Sequence, residues 1–148
     1  MKKLVLIYLG CLTLFGCNDN EITNRYLIGS WECTCFDYRV LWKDGIYQNF
    51  GNFPEQKEEK IPTKFYMKNE RLWIDIGKIS SEFNLYAFYE KRPPQKTSID
   101  VTIERDDSIE YLSRDKFKIT TIIENRYDHH EKDNFKLKTE LYCKRINE

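Results

Sequence analysis

Between Leu27 and Ile146 the chain is a series of short runs in which apolar and polar residues alternate, punctuated by turn residues about every 8–12 positions. Trp31, Cys33 and Cys35 alternate with Glu32 and Thr34, and Ile99, Val101 and Ile103 with Asp100, Thr102 and Glu104. Ile109 and Tyr111 alternate with Glu110 and Leu112, and Phe117, Ile119, Thr121 and Ile123 with Lys118, Thr120 and Ile122. A period of two sends successive side chains to opposite faces, so each run predicts a strand with one face toward a core. Phe135, Leu137, Thr139, Leu141 and Cys143 mark the inward face of a long last strand. Asp44-Gly45, between Val40-Leu41-Trp42 and Ile46-Tyr47, predicts a tight hairpin, because a type I′ turn needs positive φ at both central residues. Asn69-Glu70 predicts a second one.

Between these runs, Arg105-Asp106-Asp107 and Arg114-Asp115 read as turns, residues 51–62 and 125–134 as charged loops, and Pro93-Pro94 as part of a further loop. Residues 79–89 fit two patterns: Ile79, Phe83, Tyr86 and Ala87 share a helical face, while Phe83, Leu85, Ala87 and Tyr89 share a strand face. Strand is preferred because both neighbours are strands. The sum is an all-β chain, an antiparallel up-and-down barrel of about eight to nine strands, with a β-sandwich as the alternative.

The first residues follow another pattern. Lys2 and Lys3 precede an apolar run over residues 4–15, which reads as an export signal too short to span a bilayer. Leu14-Phe15-Gly16-Cys17 resembles a bacterial lipobox. The resemblance implies that residues 1–16 are a lipoprotein signal peptide, that Cys17 becomes the acylated N-terminus, and that residues 17–26 tether a domain over residues 27–148. Two or more acyl chains make a stable anchor where one does not. The implied partner is a lipid bilayer, and the implied location the bacterial cell envelope, periplasm-facing. Asn18, rather than Asp, after the lipidated residue points to the outer membrane by the sorting pattern of enteric bacteria. An ordinary secretory signal cut near the same place is the alternative.

Of 148 residues, removal of 16 leaves 132, the usual size of one domain. The chain carries 24 basic and 24 acidic residues with the signs interspersed, which argues against a nucleic-acid partner. Three Trp, ten Tyr and nine Phe are enough to fill a core or line a pocket. Export and lipidation leave three cysteines in an oxidising compartment, Cys33, Cys35 and Cys143. Two positions apart on a regular strand, Cys33 and Cys35 sit about 7 Å from each other, at the limit for a bridge. A disulfide from one of them to Cys143 is expected, stapling the first strand to the last.

Catalytic chemistry finds little footing. The only histidines, His129 and His130, lie together in one charged loop, away from any Ser or Cys nucleophile, and adjacent residues on extended chain point opposite ways, which gives no metal geometry. No cofactor motif, metal site or enzymatic function is expected.

Leu27-Ile28-Gly29-Ser30-Trp31 at the first strand, with Leu141-Tyr142-Cys143-Lys144-Arg145-Ile146 at the last, resembles the lipocalin-like (calycin) group of small barrels. The chain lacks the Thr-Asp-Tyr turn and the C-terminal helix of longer lipocalins, so the resemblance is to short bacterial lipocalin-like domains. It implies that Trp31 plugs one end of the barrel behind Gly29 and that Arg145 packs over its ring, a cation–π contact worth about 0.5–2 kcal/mol. Trp42, Tyr47, Phe65, Trp73 and Phe83 are candidates to line an apolar cavity. The expected function is a non-enzymatic binding module for a small apolar ligand or envelope partner, monomeric and membrane-anchored. The alternative is an inhibitor or immunity lipoprotein that binds a toxin or lytic enzyme through the loop at residues 55–60, and a structural envelope component is a third.

Overall fold

The computed structural model describes residues 22–51, 59–97 and 100–146. The signal segment, Cys17, Asn18 and Ile99, together with most of the loop at 55–60, lie outside the described residues. A one-turn helix, α1 (Asn24–Leu27), precedes nine strands: β1 (Gly29–Lys43), β2 (Ile46–Tyr47), β3 (Glu59–Lys68), β4 (Arg71–Ile76), β5 (Ile79–Glu82), β6 (Gln95–Lys96), β7 (Val101–Ser113), β8 (Lys116–Tyr127) and β9 (Phe135–Arg145). Short 3₁₀ turns occupy Leu85–Phe88 and Glu131–Asp133. All pairings are antiparallel, in the order β5-β4-β3-β1-β9-β8-β7-β6, with β2 beside β1. The first and last long strands are therefore neighbours, and the sheet curls into a half-barrel. The fold is all-β and barrel-like, but hydrogen bonding does not close it: a seam separates β5 from β6 among the described residues.

Both predicted hairpins form. Asp44 and Gly45 have φ of 54° and 80° between the paired residues Lys43 and Ile46. Asn69 and Glu70, at 52° and 63°, join Lys68 to Arg71. These are the left-handed conformations that a two-residue turn between twisted strands demands.

The register stacks inward side chains in rows across β1, β9, β8 and β7. Cys33, Cys143, Phe117 and Tyr111 form one row, and Cys35, Leu141, Ile119 and Ile109 the next. Below them the end of the barrel is plugged. Trp31 is fully buried, packs edge-on to Phe117 at 4.6 Å between centroids, and donates its indole N–H to the Leu27 carbonyl at 2.7 Å. The Arg145 guanidinium lies 4.1 Å from the centre of the Trp31 ring and donates to the carbonyls of Ile28, at 3.0 Å, and Tyr26. Gly29, at φ 132°, leaves the space this arginine needs: a Cβ there would stand 2.7 Å from Arg145 Nη1. Tyr26 adds its ring beside Trp31 and its hydroxyl to the carbonyls of Ser113 and Lys116 at 2.8 and 2.9 Å, tying α1 to the β7–β8 turn.

Cys33 and Cys143 are disulfide-bonded, their Cα atoms 4.0 Å apart as direct cross-strand partners. Register decides the choice between the two candidates: Cys35 faces Leu141 and stands outside the bridge.

Several expectations need correction. Arg105-Asp106-Asp107 is not a turn but the middle of β7, paired with Ile123, Ile122 and Thr121. Residues 79–89 divide into the short β5 and a 3₁₀ turn, which Asn84 caps by accepting from the Tyr86 N–H at 3.1 Å. The loop at 51–62 ends early, because β3 starts at Glu59 and Pro62 pairs with Glu32 within the sheet. The loop at 125–134 starts late, since β8 runs on to Tyr127. The segment read as tether reaches the core: Ile22 is buried with Leu27 and Trp31, and the Thr23 hydroxyl caps α1 at the Tyr26 N–H.

Reduction or replacement of the Cys33–Cys143 bridge is expected to lower stability by about 4–5 kcal/mol in the chain-entropy model. Peptide mapping of the oxidised protein should recover that pair, and a Cys35–Cys143 peptide would contradict the register. The plug has a pH signature. Burial, with Tyr111 adding, pushes the Tyr26 phenol up to about 12. Its protonated form is thus favoured by folding: this stability is complete below the ordinary tyrosine range near 10 and is lost as pH rises from about 10 toward 12. Near-ultraviolet circular dichroism through an alkaline titration should show the aromatic plug loosening over that window, and an unchanged signal at pH 12 would remove Tyr26 from its support.

Candidate functional site

Above the apolar rows the inner face turns polar. Asp37, Thr139, Thr121 and Asp107 form the next row across β1, β9, β8 and β7. Each threonine hydroxyl serves one carboxylate: Thr139 donates to Asp37 at 2.6 Å and Thr121 to Asp107 at 2.7 Å. The Asp107 side chain is only 3 % exposed. A carboxylate so buried needs partners, and it has them: the second oxygen accepts from Arg105 Nε at 2.7 Å, while Arg92 Nη1 approaches to 3.7 Å. This network explains why β7 continues through a sequence that reads as a turn. Alternation sends Arg105 and Asp107 inward, where matched groups receive them.

Thr139, Thr121 and Asp107 of this row form one wall of a cavity of about 570 Å³ inside the half-barrel. Ile61, Ile74 and Ile76 of β3 and β4 form the opposite wall, and Cys35, Ile119 and Leu141 complete the apolar floor. Phe83 and Phe88, stacked at 5.2 Å, stand beside the seam, where Arg92 and Arg105 also reach the cavity. A mostly apolar lining with a few convergent polar groups, at this volume, is the composition of a small-molecule site.

Of the five aromatic candidates, Phe83 lines this cavity and Phe65 lies in the core beneath it, 5.1 Å from Phe83 and 1 % exposed. The other three are corrected by parity. Trp73 sits on the opposite face of β4 from Ile74, under the Lys68 ammonium at 4.7 Å. Trp42 and Tyr47 pair edge to face at 4.8 Å across the β1–β2 hairpin, with Trp42 on the face of β1 opposite Cys33 and Cys35. Burial, with Glu124 adding, pushes the Tyr47 phenol up to about 12. His129 and His130 are exposed next to the second 3₁₀ turn. Among the described residues no group of three or more His, Cys, Asp and Glu side chains is placed to hold a metal ion.

Sequence reasoning missed Asp37, Arg92, Arg105 and Asp107. The signal lay in Thr121 and Thr139, polar residues interrupting two inward apolar faces at positions the register brings together.

Thr121→Val keeps the shape of the side chain but removes the donor to Asp107, leaving a buried carboxylate oxygen without that partner. A loss of about 1–3 kcal/mol in urea unfolding is expected, and unchanged stability would show that the hydroxyl is not what holds Asp107. Comparison with known protein families, curated proteins and solved structures returned no match for this chain.

Proposed function

We propose that the protein is a lipid-anchored, periplasm-facing binding module of lipocalin-like type, which holds a small, largely apolar ligand inside the half-barrel and catalyses no reaction. The cavity between the polar row and the isoleucine wall carries this reading: it has the size and lining of a ligand site, and its buried carboxylate is already held by Thr121 and Arg105. The anchor rests on the lipobox resemblance ending at Cys17, five residues ahead of the first described residue, Ile22.

A second reading has an observation of its own. On the outer face of β1 and β9, Thr34, Phe36, Tyr38 and Tyr142 line an open groove, with Lys138 over the Tyr38 ring at 4.0 Å and Lys118 over Tyr142 at 5.8 Å. Aromatic and cationic side chains in this arrangement suit a protein partner, as an inhibitor or immunity lipoprotein for a toxin or lytic enzyme would require.

Native mass spectrometry of protein taken from its own envelope separates the two: a bound mass of a few hundred daltons supports the ligand cavity, and a bound polypeptide the groove. For the anchor, the chain carrying Cys17→Ser and exported behind a signal cut by the general signal peptidase is expected to leave the membrane with its fold unchanged. If it still floats with membranes after a high-salt wash, the lipid is not what holds it there.

A further inference from the structure

Building on the ligand-cavity reading, the geometry points to the chemical class of the ligand. The guanidiniums of Arg92 and Arg105 face one carboxylate, Asp107, and that carboxylate is nearly saturated. One of its oxygens takes the Thr121 hydroxyl and the other takes Arg105 Nε. Arg92 reaches it only as an ion pair at 3.7 Å, beyond hydrogen-bonding range. A guanidinium has five N–H donors. Both Nη groups of Arg105 and all the N–H groups of Arg92 therefore lack a protein acceptor among the described residues. The other carboxylate at the rim, Glu82, is answered by Arg71 at 2.8 Å. One positive charge and a set of forked donors remain, on side chains 42 % and 46 % exposed that line the cavity at the seam.

Below these donors the lining is hydrocarbon, from Phe83 and Phe88 down to Ile74, Ile119 and Leu141. A wholly apolar occupant would set that hydrocarbon correctly but would press against two guanidiniums and strip their water without replacing it. An oxyanion in the same place accepts two or more charge-assisted hydrogen bonds, and the planar fork suits a carboxylate or phosphate better than a single-point acceptor. We propose that the cavity binds a single-chain anionic amphiphile, its acidic head on Arg92 and Arg105 at the seam and its hydrocarbon against Phe83, Phe88 and the isoleucine wall. Asp107 is then a positioning residue: by holding Arg105 through Nε it turns the Nη edge of the fork to the ligand.

The test is titration calorimetry of the soluble Cys17→Ser chain with dodecanoate, dodecyl phosphate and dodecanol, which share one tail and differ in the head. At least one acid should bind ten times or more tighter than dodecanol, and the tighter acid names the head chemistry. Arg92→Gln with Arg105→Gln should abolish the preference and leave dodecanol affinity within twofold. Arg92→Gln alone leaves both hydrogen bonds to Asp107 in place and should weaken the acid several-fold, so the inference stays testable if the double variant does not fold. Equal affinity for acid and alcohol, or an Arg92→Gln protein that binds acid as tightly as the unaltered chain, would overturn the assignment of the head while leaving the cavity reading intact. If neither acid nor alcohol binds, the cavity reading falls together with it.

Discussion

The pairing of β1 with β9 is the contact on which the rest of the structure depends. It puts Cys33 opposite Cys143 and Trp31 opposite Arg145, so one ladder sets both the covalent staple and the plug. A single-residue slip would send every one of these side chains to the other face of the sheet. The same ladder aligns Asp37 with Thr139, and through β8 and β7 it carries that row to Asp107. Plug, bridge and polar wall are three readings of one register, at Trp31, Cys33 and Asp37 along one face of β1.

That spacing divides the interior by depth. At the plugged end, aromatic rings and the disulfide fill the space completely, with Trp31, Cys33 and Phe117 fully buried. Two rows further on the side chains become short and polar, and they bond sideways to each other rather than upward across the barrel. Threonines and an aspartate at this level leave volume that larger apolar residues would have filled, and the cavity opens there. The seam between β5 and β6 leaves this level accessible from the side, through the segment that carries Phe83, Phe88 and Arg92.

Strand by strand, most of the fold was legible. Alternation located β1, β8 and β9, and Asp44-Gly45 and Asn69-Glu70 located two hairpins, because these features depend on neighbours in sequence. Where distant partners decide, the reading failed. Arg105-Asp106-Asp107 has turn composition, and only Thr121 and Arg92, from other parts of the chain, make it a strand. The aromatic residues were legible as apolar but not as inward or outward: Trp42 and Trp73 are one parity step from the interior, and a list of types does not carry parity. The candidate site was hardest to see because its functional groups are charged residues scattered among many charged residues, and pairing alone distinguishes them.

The burial of Ile22 and the capping of α1 by Thr23 make the plug a composite of both chain ends: the entry segment, β1, the β7–β8 turn and the end of β9 all meet there. The bridge between β1 and β9 spans a sequence separation of 110 residues. Bringing ends so far apart in sequence together costs loop-closure entropy before the contact rewards it. A fragment that lacks β9 leaves β1 paired on the β3 side alone, with no arginine for the Trp31 ring and no second thiol for Cys33. The last strand therefore completes the plug, the bridge and the second side of β1 at once, and the stability of the whole domain is concentrated in its final eleven-residue strand.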